Sequence, residues 1–273
     1  MTLLYATDLH GSKHSYERLL QESVLHHAGA IVLGGDLLPY ADPQGQLAFL
    51  HGWLRPMLQE FLKDRTAPRI FGLLGNDDWI AAEIEFNALE KAGLLFGLHR
   101  RAHALDGELH IAGCSYVPIT PFGISDFDRI DAHGWTPPPK HIGPIFSDTG
   151  RKVSGSMATL LARPTISETL AELAAKSPPV RTVYVLHAPP AKTNLDMLFN
   201  REHIGSGAVR KFIEQWQPPV TLHGHIHESR QVSGSISDRI GRTWSLNPGD
   251  SKEALNSVLI ELDGGRVAWK ELT

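Results

Sequence analysis

Leu3-Leu4-Tyr5-Ala6-Thr7-Asp8-Leu9-His10 decides how this chain is read: a short apolar run that ends in an Asp-x-His pair. The run is too short for a helix and has the character of a buried strand, which places the polar pair at the edge of a sheet. The same grammar recurs along the chain. Ala30 to Leu33 is followed by Gly34-Gly35-Asp36, and Arg69 to Leu74 by Gly75-Asn76-Asp77-Asp78. Thr182 to Leu186 leads into His187-Ala188-Pro189-Pro190, and Val220 to Leu222 into His223-Gly224-His225-Ile226-His227. Ligands of α/β proteins gather beyond strand ends, and five exits tipped with Asp, Asn and His point to one shared pair of metal ions.

Between the first three runs lie amphipathic stretches long enough for crossover helices, giving β-α-β-α-β. Ser12 is the expected cap of a helix through Tyr16, Leu19, Leu20, Val24 and Leu25 that stops at Gly29. Asp42-Pro43 opens a second helix, which Pro56 is expected to kink or divide. A third follows Asp78 and ends near Gly93. Leu98 to Val117 reads as two strands joined by a type I′ turn at Asp106-Gly107. From 118 to 164 the chain is rich in Pro, Gly, Ser and Asp and shows no helical or strand period. So long an irregular insert reads as a functional loop near the active site. Thr165 and Glu168 form a capping-box pattern before another helix. A helix from near Ser206 joins the last two strand runs, and after His227 only strands and turns are expected. With no repeat and no separating linker, the reading is one α/β domain over 1–273. It is a four-layer α-β-β-α sandwich of two mixed sheets flanked by helices.

With 273 residues, 42% of them hydrophobic, the chain needs neither metal nor disulfide merely to fold. Its single cysteine, Cys114, excludes an intrachain disulfide and a cysteine-based zinc site, and reads as a small buried apolar residue. The first strand starts at Leu3, which leaves no room for a leader, and no apolar stretch approaches the roughly 20 residues of a bilayer span. A cytoplasmic location without membrane association is therefore expected. A net charge of -4 gives no strong nucleic-acid signal. Oligomeric state is not legible.

Asp and His together suit borderline divalent ions, which makes Mn, Fe, Zn or Co the expected metals. Asp8 and His10, one residue apart in a continuing strand, would face the same side and grip one ion, and so would His225 and His227. His223 has the same parity but a deeper position. Asp36 can bridge two cations about 3.5–4 Å apart, which activate a bridging hydroxide for in-line displacement at phosphorus. With neutral His and Asn donors the centre carries about one net positive charge, matched to a phosphodiester monoanion. Each residue also has a structural alternative. Asp8 and Asp36 suit loops, Asn76 a left-handed turn, Asp77 or Asp78 a helix cap, and His187 a packed core position.

Taken together, the five blocks resemble the calcineurin-like metallophosphoesterase family, whose pattern is D-x-H, G-D, G-N-H-D/E, H and G-H-x-H. The likeness runs in order from Leu4 to about Gly249 and is nearest to a branch of small, mostly prokaryotic phosphoesterases. It implies that Asp8, His10, Asp36 and His227 hold one ion and Asp36, Asn76, His187 and His225 the other. Asp36, Asn76 and His225 are the candidate catalytic residues, with Asp77 and Asp78 standing behind the metal donors. Asp77 replaces the family's usual His in G-N-H, the group that contacts phosphate and protonates the leaving oxygen. An Asp beside two cations is ionised and a poor proton donor, so a capping role and a diesterase are expected. His133 and His141 are candidate substitutes for the acid, and Asn194, Asp196 and His203 for the pocket wall. The partner implied is a small phosphoester. The competing reading is a non-catalytic protein-binding module that keeps this fold.

Overall fold

The computed structural model describes residues 1–134, 136, 142–263 and 265–272. β1 (Thr2–Ala6), β2 (Ala30–Leu33) and β3 (Arg69–Gly72) lie side by side and parallel, as their unbroken apolar character requires. α1 (Lys13–Leu25) starts at Ser12, whose side chain accepts from the Ser15 N–H, and ends before reaching Gly29. α2 (Pro43–Phe49) is capped by Asp42 and runs through one π turn (Leu50–Leu54) into α3 (Arg55–Phe61). The expected division near Pro56 thus takes the form of a π turn, with Pro56 in the first turn of α3. The π turn has already shifted the bonding, with Arg55 N–H reaching the Leu50 carbonyl, so a missing donor in the next turn is tolerated. α4 (Glu83–Lys91) then leads to the short parallel strand β4 (Phe96–Gly97).

β5 (Ala102–Asp106) and β6 (Leu109–Cys114) form the expected hairpin, but Asp106 stays in the ladder opposite Leu109. The loop is Gly107-Glu108, one residue later than expected, with Gly107 taking φ +54°. The insert is more regular than its composition suggests. β7 (Val117–Pro118) pairs with β8 (Asp128–Arg129), β9 (Ile145–Asp148) pairs with β10 (Arg151–Ser154), and α5 (Met157–Leu161) follows. Ile119, Ile130, Phe146 and Leu160 give it a small core of its own. These pairs are too short to generate a visible period, which is why the sequence reads as loop. His141 and Pro137-Pro138-Pro139 lie outside the described residues.

The capping box forms as expected at the head of α6 (Ile166–Lys176). β11 (Thr182–Leu186), α7 (Gly207–Trp216) and β12 (Val220–Leu222) make a parallel βαβ unit, with β6 parallel on the other side of β11. A short helix, α8 (Ser229–Ser233), departs from the strands-only expectation after His227. It is held by Ser hydroxyls on backbone carbonyls, with a left-handed Gly234 at its end, and so leaves no apolar stripe to read. β13 (Ser237–Ile240), β14 (Thr243–Leu246), β15 (Ser257–Asp263) and β16 (Arg266–Leu272) complete the sheets.

Among the described residues the first large sheet has the order β16-β15-β1-β2-β3-β4 and the second β13-β14-β12-β11-β6-β5. Strand alternation sorts the core. Leu3, Tyr5, Val32 and Phe71 of the first sheet share one cluster with Ile111, Val183, Val185 and Leu222 of the second, so the sheets pack face to face. The alternate residues Leu4, Ile31 and Ile70 meet Tyr16, Leu54 and Phe86 of the helices, and Tyr184 meets Phe212 of α7 with ring centroids 4.9 Å apart. The expected four-layer α-β-β-α sandwich is thus the observed one. Cys114 is buried within it and its thiol is pushed up to about 12 by that burial. No helix among the described residues is long and apolar enough to cross a membrane.

Candidate metal centre

The candidate residues lie in loops just past the strands rather than in continuing strands. β1 ends at Ala6, and Asp8 and His10 take φ +53° and +43°; Asp36 takes +50° and His225 +69°. Parity therefore pairs Asp8 with His10 for the wrong reason, since left-handed turns and not a continuing strand aim them, and it fails for His225 and His227, which fall in different donor groups. Backbone bonds lace the turns together. Asp8 N–H donates to the Gly35 carbonyl and His10 N–H to the Asp36 carbonyl, each at 2.9 Å, while Gly224 N–H reaches the His187 carbonyl. Asn247, buried in the segment read only as turn punctuation, donates from Nδ2 to the Gly224 carbonyl at 3.1 Å. A Cβ on Gly35 or Gly75 would collide with the His187 ring, and one on Gly224 with Asp8 and Thr7.

Two groups of donor atoms result. Asp8, His10, Asp36 and His227 each place one within 4.8 Å of the others, and so do Asp36, His187 and His225. Asp36 belongs to both. Asn76 joins the second group through Oδ1, 3.1 Å from His187 Nε2. His223 does not take part: Nδ1 contacts the Leu186 and Ala188 carbonyls and Nε2 the Thr221 hydroxyl, and burial pushes the ring down to about 4. It is a packed core histidine whose parity misleads. A cation suits the cluster, because Asp8 Oδ2 and His10 Nδ1 are buried without a hydrogen-bond partner among the described residues. The N and O donors are also those of a borderline divalent ion.

Without cations the charges settle on each other. Burial opposes the charged form of His187, but Asp36 at 3.2 Å overrides it and lifts the ring to about 9. Burial likewise opposes His227, and Asp8, also at 3.2 Å, lifts it to about 10. Asp36 is held below the usual carboxylate range by His187 despite its burial. Burial, helped by the His187 charge, pushes His225 down to about 3.

These shifts set a pH dependence. Both raised histidines stabilise the metal-free fold fully below the ordinary imidazole range, and that contribution is lost as pH rises through about 9 to 10. A histidine donor must be neutral, so uptake near pH 7.5 is expected to expel at least two protons, one from each histidine and a further share from Asp77 as it ionises, and fewer as pH approaches 10. Calorimetry in buffers of different ionisation enthalpy counts them; no release near neutrality would refute the charged-pair assignment.

Asp77 and Asp78 are not helix caps. Asp78 is fully buried and accepts from the N–H groups of Leu37 (3.0 Å), Leu38 (2.9 Å) and Gly75 (2.8 Å), pinning the Asp36 loop to the Asn76 loop. Burial and the Asp36 charge push it up to about 7 against the pull of those donors. Asp77 accepts from Asn76 Nδ2 at 2.9 Å, and its own N–H donates to Asp36 Oδ1 at 2.7 Å. Burial, Asp36 and Asp78 raise it to about 8 in the absence of cations. A 3-10 turn (Ile80–Ala82) with Trp79 at its cap runs into α4, and neither helix start has a side-chain cap bond.

The centre opens into a cavity of about 1440 Å³ lined by Asp36, Asn76, Asp77, His225 and His227. Segment 118–122 and residues 131–134 of the insert form part of its wall. His133 lines it but is exposed, with Nε2 3.0 Å from Glu168. His203 lines it too, its Nδ1 2.7 Å from buried Asp196. Asn194 does not, since it is exposed with its N–H on Asp238. Among the lining residues that escaped sequence reasoning, two touch the metal donors. Tyr40 stacks on His10 at 4.3 Å, and Asp250 lies 3.8 Å from His227 Nδ1. Tyr40 follows no motif; Asp250 sits directly after the Asn-Pro-Gly turn, the one signal available.

The family model for calcineurin-like phosphoesterases matches residues 1–229. A protein of Thermus thermophilus is similar over 98% of this chain and 97% of its own, at 16% identity and TM-score 0.59. A dimetal phosphatase from Danio rerio is similar over 99% and 95%, at 12% identity and TM-score 0.51. At such identities the likeness is one of fold. Nothing among curated proteins matches the chain.

Proposed function

We propose, from the premise that this chain belongs to the calcineurin-like phosphoesterase family, that it is a dinuclear metal-dependent phosphodiesterase. The observation that carries the reading is Asp36, one carboxylate common to two groups of donor atoms. Asp8, His10, Asp36 and His227 would hold one divalent ion and Asp36, Asn76, His187 and His225 the other, with Mn, Fe, Zn or Co suited to the donors. When bound, such a pair supplies an activated water nucleophile and neutralises charge on the phosphoryl oxygens.

The chain's own residues orient and insulate. Asp77 accepts from Asn76 Nδ2, which turns the Asn76 Oδ1 towards His187. Asp78 holds the two loops in register. Two cations beside it would hold Asp77 ionised, with no proton for a departing alkoxide, so esters with weakly basic leaving groups are favoured, and the diester is the preferred class.

The test is metal content together with rates on bis(4-nitrophenyl) phosphate and 4-nitrophenyl phosphate. We expect metal-dependent hydrolysis with the diester ahead, and Asp77→His to move the ratio towards the monoester by about tenfold or more, short of the roughly hundredfold low end of a general acid's worth because 4-nitrophenolate leaves with little protonation. Protein that takes up metal yet cleaves neither ester would contradict the proposal. An unmoved ratio would reduce Asp77 to a prop for Asn76.

A further inference from the structure

Resting on the phosphoesterase reading, we infer that the substrate carries a planar aromatic group of nucleobase size on its non-reacting side, held against Phe122 and Phe199. Size is the first argument. The cavity of about 1440 Å³ exceeds what a phosphoryl group with a short alkyl ester would fill.

Its walls are the second. Phe122 and Phe199 are 62% and 68% exposed and both line this cavity, whereas Phe71 and Phe127 are fully buried. The two come from different segments, Phe122 from the insert and Phe199 from the loop after β11. Leu198 and Ile204 extend the apolar surface beside Phe199. Exposed apolar rings gathered on one concavity mark a binding surface.

The segment carrying Phe199 is built rather than slack. Asp196 is fully buried and accepts from the N–H groups of Lys192 (2.9 Å), Thr193 (2.8 Å) and Gly205 (3.0 Å), and its contact with His203 Nδ1 is 2.7 Å. Leu198 N–H closes the tip on the Glu202 carbonyl at 2.9 Å. On the other wall, Asp126 fixes the insert to the main body by accepting from the Ile80 N–H at 2.9 Å. Exposed phenyl rings on anchored segments suit a flat ring. Ser167, His203 and Lys211 belong to the same wall, and polar residues there suit a heteroatom-edged ring better than an acyl chain.

Binding decides the matter independently of turnover. Methyl-, phenyl- and octylphosphonate are titrated calorimetrically into the metal-loaded protein and into a Phe122→Ala/Phe199→Ala variant. We expect phenylphosphonate to bind roughly tenfold tighter than the other two, as ring stacking supplies, and the variant to reduce that advantage to about threefold or less. Equal affinities, a preference for octylphosphonate, no binding, or an advantage that survives in the variant would each overturn the inference. Rates on thymidine 5′-(4-nitrophenyl) phosphate and methyl 4-nitrophenyl phosphate then separate the two readings. Aromatic preference in binding with no turnover defeats the hydrolase and leaves this inference standing; turnover of both at equal efficiency does the reverse.

Discussion

Asp36→Asn is expected to lower kcat/KM on bis(4-nitrophenyl) phosphate by roughly a thousandfold or more, a loss of about 4 kcal/mol in transition-state stabilisation. Asp36 is buried, and its two oxygens have separate work: Oδ1 accepts from Asp77 N–H at 2.7 Å, and Oδ2 lies 3.2 Å from His187. Asparagine keeps the volume and the first bond. It removes the negative charge and replaces one acceptor with a donor, so on the proposed reading it cannot face two cations. The fold should survive, because none of the Asp78 bonds that fix the loop is touched. Metal content below two per chain is the expected pattern, in a protein that still melts cooperatively but at a lower Tm, because the Asp36–His187 pair is lost. A variant that keeps both full activity and full metal content would end the proposal that Asp36 is shared.

Asp78→Ala is expected to act on stability first. Three buried N–H groups, on Leu37, Leu38 and Gly75, would lose their acceptor. An unsatisfied buried donor costs about 1–3 kcal/mol, and with partial relaxation the three should together cost about 3–5 kcal/mol. For a chain of this size that is a fall in Tm of about 10 °C or more. Activity should fall with it even at low temperature, because the Asp36 and Asn76 loops lose their common anchor. Asp78→Asn should lie between, since its amide can accept on one side but opposes an N–H with its own donor on the other. A Tm within about 2 °C of wild type for the alanine variant would show that water or backbone movement satisfies those groups.

Much of this was legible because strands and caps have local causes. The runs at Ala30–Leu33 and Thr182–Leu186 are strands with the expected bounds, and Ser12, Asp42, Thr165 and Ser206 cap the helices that follow them. What parity could not give was how the chain turns after a strand. Asp8, His10 and His225 owe their directions to left-handed backbone stitched to neighbouring loops, and those bonds are long-range. Likewise Asp78 looks like a cap in sequence because its partners, Leu37 and Leu38, are some forty positions away. His223 shares its neighbours' residue type, and only the carbonyls of Leu186 and Ala188 reveal it as a packing residue. The insert hid its short strand pairs, and with them the wall formed by Pro118 to Phe122.

The left-handed residues of the centre, Asp8, His10, Asp36 and His225, bear on how such a protein could change over generations. An L-residue held in that region costs about 1–2 kcal/mol, and glycine relieves it. At these positions, then, the residue that best suits the backbone is the one with no side chain to offer an ion. Breeding this chain for heat tolerance alone would reward glycine at His10 or His225, and the survivors would be sturdier and inert. Ruggedness and reactivity compete here at the same few peptide units, so a lineage that has abandoned its chemistry should betray itself by glycines at these turns before its sheets alter.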